Sequence, residues 1–140
     1  MITKPQRIRI ANFLYGNVQT ELSTISPATF YIGLSTASMG DDGVISGEVT
    51  GNGYARAAVV NNKTSFTTAT SDGNVFNQVN INWNEATASW GTIKTVFFAS
   101  SASADTALYY IPVNKEVPAG ATLYFKGTAS GGDLTLSVAN

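Results

Sequence analysis

Carboxylates, amides and hydroxyls are the side chains that could do chemistry in this chain, because its 140 residues include no Cys and no His. Thiolate nucleophiles, imidazole bases and Cys/His metal sites are therefore excluded. Asp41-Asp42-Gly43, followed by Glu48, offers oxygen ligands and a permissive turn of the kind that Ca²⁺ favours. The spacing does not match an EF-hand loop, and a solvated Asp/Gly turn is the commoner meaning of this pattern. We predict no metal ligand and no cofactor.

Paired carboxylates could also serve glycoside hydrolysis. Most of the nine acidic residues fall in predicted loops beside Gly, Asn or Ser, where exposed turn acids are common, and nothing in the pattern brings two together. Gly51-Asn52-Gly53 is similar to part of a phosphate loop, but no Lys-Ser/Thr pair or helix pattern follows. We predict a turn entering a strand there and no catalytic residue, with a carbohydrate-active enzyme as the alternative class.

Arg56 lies in an otherwise uncharged predicted strand. A guanidinium in that position must face solvent or find a carboxylate, and Glu48 and Asp42 in the preceding loop are the candidates. We predict an ion pair that fixes this loop, with Arg56 and Glu48 as its first assignment.

The composition indicates a single compact domain over residues 1–140. Hydrophobic residues make up 44% and charged residues 12%, and the 30 Thr and Ser, 12 Asn and 13 Gly favour short strands joined by turns. Pro5, with Ile10, Phe13 and Leu14 before Gly16, predicts a helix over about residues 5–15. Residues 1–27 then form a helix and a link, and residues 28–140 form the β domain.

Period-2 alternation predicts seven or eight strands. The clearest run is 75–83, in which Val75, Val79, Ile81 and Trp83 share a face. The others are 29–34, 54–60, 92–99, 107–113, 122–126, 134–138 and a possible short strand at 65–68.

The spacing of these strands predicts an all-β, antiparallel, jelly-roll-like sandwich with a short N-terminal helix. Residues 36–53 read as a long glycine-rich surface loop, and a loop of that length is usually functional or ordered by a partner. No internal repeat of 20 to 50 residues is present.

The net charge and the positions of the aromatic residues indicate which kinds of partner the protein could bind. The net charge of -1 lacks the basic excess that nucleic acid or anionic lipid requires, and no run reaches the length of a membrane span. Adjacent aromatic residues put large side chains on both faces of the C-terminal strands, so we predict a homo-oligomer. The predicted interface residues are Trp90, Phe98, Tyr110 and Tyr124.

Several runs resemble small tailed-bacteriophage virion proteins that are often labelled tail fibre proteins. The most specific is Glu48 through Arg56, and Phe30 through Ala37, Ala86 through Ile93 and Val117 through Leu123 are similar to the same family. The resemblance covers most of the chain from about residue 28. The resemblance implies a non-enzymatic virion component that assembles as a trimer.

We expect a capsid decoration or cement protein that binds the phage major capsid protein, because a fibre shaft of repeats or heptads is missing from the sequence. The alternative is a tail fibre or receptor-binding knob that contacts tail proteins or host glycan. Lys4, Arg7 and Arg9 are expected either to dock on an acidic patch of a capsid or tail protein or to lie on a solvated helix.

Overall fold

The computed structural model describes residues 1–16, 22–128 and 132–137. In these ranges the chain is mostly β, with antiparallel strand pairing and a short N-terminal helix, as the sequence predicts. No helix within them is long and apolar enough to cross a membrane. The elements are α1 (Lys4–Leu14), α2 (Leu22–Ile25), β1 (Thr29–Ser35), β2 (Ala57–Val60), β3 (Asn74–Phe76), β4 (Ile81–Asn82), β5 (Gly91–Ala99), β6 (Tyr109–Val117), β7 (Tyr124–Phe125) and β8 (Thr135–Ser137).

The strands form one large sheet and two small ones. The large sheet has the order β2-β1-β5-β6, and the small sheets pair β3 with β8 and β4 with β7. Pairing is antiparallel throughout these sheets. This arrangement does not establish a jelly roll, which stays a prediction.

One face of the four-stranded sheet, the core face, packs on the main hydrophobic core. Alternation in β1 directs Phe30, Ile32 and Leu34 to this face, and all three are buried. Phe30 meets the rings of Phe66 and Phe98 edge to face, each at 5.7 Å between centroids. Such contacts add to the burial of apolar area that stabilises the core.

A β-bulge in β5 interrupts the alternation that the sequence predicts. The pairing with β6 shifts register between Ile93 and Thr95. As a result Ile93, Val96 and Phe98 all lie on the core face, whereas regular alternation would put Ile93 on the face opposite to the other two. Thr95 turns to the opposite face, where its hydroxyl donates to the Ala37 carbonyl at 2.9 Å.

The opposite face, the loop face, is covered by part of the loop 36–53. The Phe97 ring lies against Gly33, where an added Cβ would stand 2.1 Å from the ring, so only glycine admits this contact. Met39 and Ile45 of the loop pack against the cluster that contains Phe97 and Tyr110. Contacts within the chain therefore order the loop. The sequence analysis considered a partner for this role.

The predicted strand 75–83 is divided in two, and Asn77 is the reason. Asn77 is buried, and its Nδ2 donates to the carbonyls of Val79 and Lys126 at 3.0 and 3.1 Å, while its Oδ1 accepts from Leu134 N at 2.9 Å. In the residues that separate β3 from β4, these bonds take the place of regular strand pairing. The predicted strand 65–68 is reduced to a single bridge between Phe66 and Asn77.

The N-terminal segment joins the β6 edge of the large sheet. Ile2 bridges to Tyr109, and the Thr3 hydroxyl donates to the Ala107 carbonyl at 2.9 Å. α1 then begins with Pro5 in its first turn and ends before Gly16, whose φ of 74° is a conformation that glycine adopts freely. The second helix, α2, lies in the segment that the sequence indicated as a polar link.

Candidate functional site

Arg56 and Glu48 form a two-pronged ion pair on the loop face. Arg56 Nε lies 2.8 Å from Glu48 Oε1, and Nη2 lies 2.7 Å from Oε2. The same guanidinium donates to the carbonyls of Ser101 and Ala104 at 2.9 and 2.8 Å. The Arg56 side chain is 7% exposed and that of Glu48 23%, so the pair is largely shielded from water. A single guanidinium, on the residue that precedes β2, therefore joins the 36–53 loop and the turn after β5.

Two aromatic side chains complete this network. The Arg56 guanidinium carbon lies 5.0 Å from the centroid of the Phe97 ring, a cation–π distance. The Tyr54 hydroxyl donates to Glu48 Oε1 at 2.9 Å and accepts from Leu34 N at 2.9 Å. Burial raises the pKa of the Tyr54 phenol above its ordinary value, and the hydrogen bonds that Arg56 donates to Glu48 raise the pKa of Arg56.

The three carboxylates considered for a metal site, Asp41, Asp42 and Glu48, have partners within the chain. Asp41 receives two bonds from Arg7, at 2.9 and 2.8 Å, which lower the pKa of Asp41. Asp42 Oδ1 accepts from Val44 N at 3.2 Å and so holds a turn, while Glu48 belongs to Arg56. Over the described residues, no group of three acidic side chains is placed to hold a metal ion. This arrangement fixes a loop to a sheet.

The turn at 51–53 docks on the core. The Asn52 carbonyl accepts from Trp90 Nε1 and from Thr87 N, both at 3.0 Å, and Asn52 itself has a φ of 51°. Strand β2 follows this turn, and no helix begins there. The backbone geometry is that of a turn rather than of a phosphate loop.

Three of the four predicted interface residues are buried within the chain itself. Phe98 packs in the main core, Trp90 packs on Tyr54, and Tyr110 packs under the loop face, so all three are already buried within one chain. The loop 36–53 supplies the second covering that the sequence analysis assigned to another subunit. Tyr124 differs from these three, because 56% of it is exposed.

The predicted docking residues of α1 have different environments. Arg7 is engaged with Asp41 and also donates to the Ile2 carbonyl at 2.9 Å. Lys4 is exposed and Arg9 is partly exposed, and neither has an ion pair within the described ranges. Lys4 and Arg9 are therefore the basic side chains of α1 that remain for a partner.

The apolar side chains that α1 exposes were missed by the sequence analysis. Leu14 is 69% exposed and Tyr15 82%, and they border a surface groove of about 440 Å³. The signal was present, because apolar residues surround α1 rather than forming a single stripe for the core. The groove is lined by Ile2, Arg7, Ile10, Ala11, Leu14 and Tyr15.

Comparison with known proteins identifies the family. The family model of Podophage GP4 fiber I protein gp80 matches residues 9–135, which is nearly the whole chain. A comparison with curated proteins found no match. The resemblance to tailed-phage virion proteins is thereby confirmed and the place of the protein is the virion, in the tail or on the capsid surface. The chain belongs to the Podophage GP4 fiber I protein gp80 family of tailed-phage structural proteins.

Proposed function

We propose that this protein is a non-enzymatic tail fibre component that attaches to a neighbouring virion protein through α1. The exposed apolar groove beside Leu14 and Tyr15 carries this proposal. Large apolar side chains exposed together on a folded protein mark interaction sites. The fibre description of the family supports a tail position over a capsid position.

The charge distribution indicates the chemistry of the partner. The first twenty residues carry three basic and no acidic side chains, whereas the remainder carries five basic and nine acidic ones. Lys4 and Arg9 belong to the same helix, and neither forms an ion pair within the described ranges, although neither lines the groove. We propose a partner surface with an apolar centre and an acidic rim, because opposite charge speeds encounter and sets orientation.

Capsid decoration is the second candidate, and the compact sequence favours it. The chain has no repeats or heptads from which a fibre shaft would be built. In that case the same α1 groove would contact the major capsid protein, and the subunits would be present in many copies. Self-association, with a trimer as its expected form, belongs to both candidates. Tyr124 and the α1 groove are the surfaces that support it.

Cosedimentation tests the proposal. Purified protein is mixed separately with tails and with capsids from particles that lack it, and light scattering gives its oligomeric state. We expect binding to tails at a few copies per particle. Leu14→Glu should weaken this binding at least tenfold, because it places a charge in the apolar groove, and Ser103→Glu in an exposed turn is the matched control.

Each outcome has a defined meaning. Binding to capsids at many copies would support the decoration candidate, and binding to neither particle would overturn attachment through α1. Equal binding by the Leu14→Glu and Ser103→Glu proteins would also exclude the groove. Turnover of host polysaccharide by the purified protein would contradict the non-enzymatic assignment.

A further inference from the structure

A second groove, of about 400 Å³, opens beside the turn that follows β2. Gln78 holds the shape of this turn, because its Nε2 donates to the carbonyls of Lys63 and Phe66, both at 2.7 Å. Gln78 N also donates to the Ser65 carbonyl at 2.7 Å. These hydrogen bonds fix the turn beside the groove before any ligand arrives.

Two asparagine amides on the wall of this groove are held in opposite orientations. Asn61 Nδ2 donates to the Pro27 carbonyl at 2.9 Å, which leaves Asn61 Oδ1 as an acceptor. Asn62 Oδ1 accepts from Ser65 N at 2.9 Å, which leaves Asn62 Nδ2 as a donor. Neither remaining atom has a hydrogen bond within the part of the chain that the structure describes. The wall offers one oriented acceptor and one oriented donor.

The rest of the lining combines hydroxyls with an apolar floor. Thr67 Oγ1 accepts from Phe76 N at 2.9 Å and keeps its own proton for donation, and Thr68 is exposed. Phe66 and Val75 provide apolar surface beneath these polar groups. A sugar ring matches this lining, because it carries hydroxyls at its edge and C–H groups on its faces.

Lys63 is the one charged residue in the lining of this groove. Its side chain is exposed and makes no ion pair with any described residue. A lone ammonium group at a groove of amides and hydroxyls favours a ligand that carries a negative charge.

We propose that this groove binds an anionic saccharide unit, with its carboxylate or phosphate on Lys63 and its hydroxyls on Asn61, Asn62 and the threonines. The site lies apart from the loop 36–53, which is packed on the sheet. The proposal goes beyond attachment through α1 and does not depend on it, since the two surfaces share no lining residue.

Nuclear magnetic resonance titration of the isotope-labelled full chain tests this site. The probes are glucuronic acid, N-acetylneuraminic acid and a phosphorylated glucose, with glucose as the neutral counterpart. We expect weak binding, with dissociation constants on the order of millimolar, and shifts confined to the Asn62 side-chain amide and the backbone of residues 61–68. Comparison of the two carboxylate sugars with the phosphorylated glucose shows which anionic group the groove binds.

Substitution of Lys63 gives the decisive comparison. Lys63→Gln should weaken binding of the anionic probes about fivefold, as expected for an exposed ion pair, whereas Lys94→Gln on β5 should leave it unchanged. Groove shifts absent for all three anionic probes at tens of millimolar, equal affinity for glucose, or equal behaviour of the two lysine variants would overturn the proposal. Those outcomes would leave attachment through α1 intact, because it is measured on virus particles.

Discussion

The two faces of the four-stranded sheet are covered by different kinds of interaction. The core face is covered by large aliphatic and aromatic side chains, among them Phe30 and Phe98, that come from distant strands. The loop face is covered by part of the segment 36–53, and the ion pair of Arg56 and Glu48 lies beside the Phe97 ring. Hydrophobic burial dominates on one face, and an oriented polar network accompanies a smaller apolar cluster on the other.

This difference predicts how substitutions on each face should change the stability of the fold. Apolar burial is shared among many contacts, so damage to the core face should lower the stability of the whole fold. The polar network joins three segments through one guanidinium, so damage there should release the 36–53 loop before the sheet itself unfolds. The predictions below separate these two modes of failure.

The largest effect is expected from Phe98→Ala on the core face. Phe98 is fully buried and contacts Phe30, so the truncation leaves a cavity in the main core. We expect a loss of about 3 to 5 kcal/mol in the free energy of unfolding, measured by denaturant titration. Hydrogen exchange should rise over all strands of the large sheet together.

Tyr124→Ala is the matched control for this experiment. Tyr124 is exposed, so its truncation should cost less than about 1 kcal/mol. If Tyr124 belongs to an interface between copies, light scattering will instead show weaker association. A Phe98→Ala protein of unchanged stability would contradict the assignment of Phe98 to the core rather than to an interface.

A smaller and local effect is expected from Arg56→Ala on the loop face. The variant leaves Glu48 without its cation and the carbonyls of Ser101 and Ala104 without a donor. We expect the free energy of unfolding to fall by about 2 to 3 kcal/mol. This is below the range for fully buried pairs, because Glu48 is partly exposed. Hydrogen exchange in residues 36–53 should increase more than exchange in β1 and β5.

Arg9→Ala removes a guanidinium from α1 that is outside this network, and it should change neither stability nor loop exchange appreciably. An Arg56→Ala protein with the same melting temperature and the same assembly as the parent would show that the ion pair does not fix the loop. A uniform loss of hydrogen-exchange protection over the whole sheet would contradict the proposed difference between the two faces.

The smallest effect is a dependence of stability on alkaline pH through Tyr54. Its pKa is raised above the ordinary 10.0 in the folded chain, so its contribution is complete below about pH 10 and is lost as pH rises further. The stability difference between the parent and Tyr54→Phe should narrow by about 1.4 kcal/mol from pH 9 to pH 11. Denaturant titrations at several pH values measure it. A constant difference would mean that the phenol is not buried in the network as described.

Much of the fold is predictable from local pattern. Helix α1 is found at Lys4–Leu14, close to the predicted 5–15, because a proline at the start and a glycine after the end mark it in the sequence. Strand β1 follows its alternation almost residue for residue. The run 75–83 was misjudged because alternation does not reveal that one buried asparagine bonds to two other segments, at Lys126 and at Leu134.

The interaction surfaces were harder to predict than the strands. Arg56 and Glu48 stand eight residues apart, and an uncharged strand leaves few alternatives for its one guanidinium. Phe98, Trp90 and Tyr110 were assigned outward because the sequence does not show that a glycine-rich loop folds back over the sheet. The saccharide groove gave no sequence signal, since its amides and lysine are ordinary turn residues.

Composition and periodicity alone determined a β-rich chain with one N-terminal helix and no Cys or His chemistry. The resemblance to tailed-phage virion proteins came separately, from particular runs such as Glu48 through Arg56. These properties depend on residue type and on neighbours along the chain. Tertiary structure decided which face each aromatic residue occupies, because the bulge in β5 shifts the alternation and Gly33 makes room for Phe97. It also decided which polar groups are consumed within the chain, since hydrogen bonds join residues that only folding brings together.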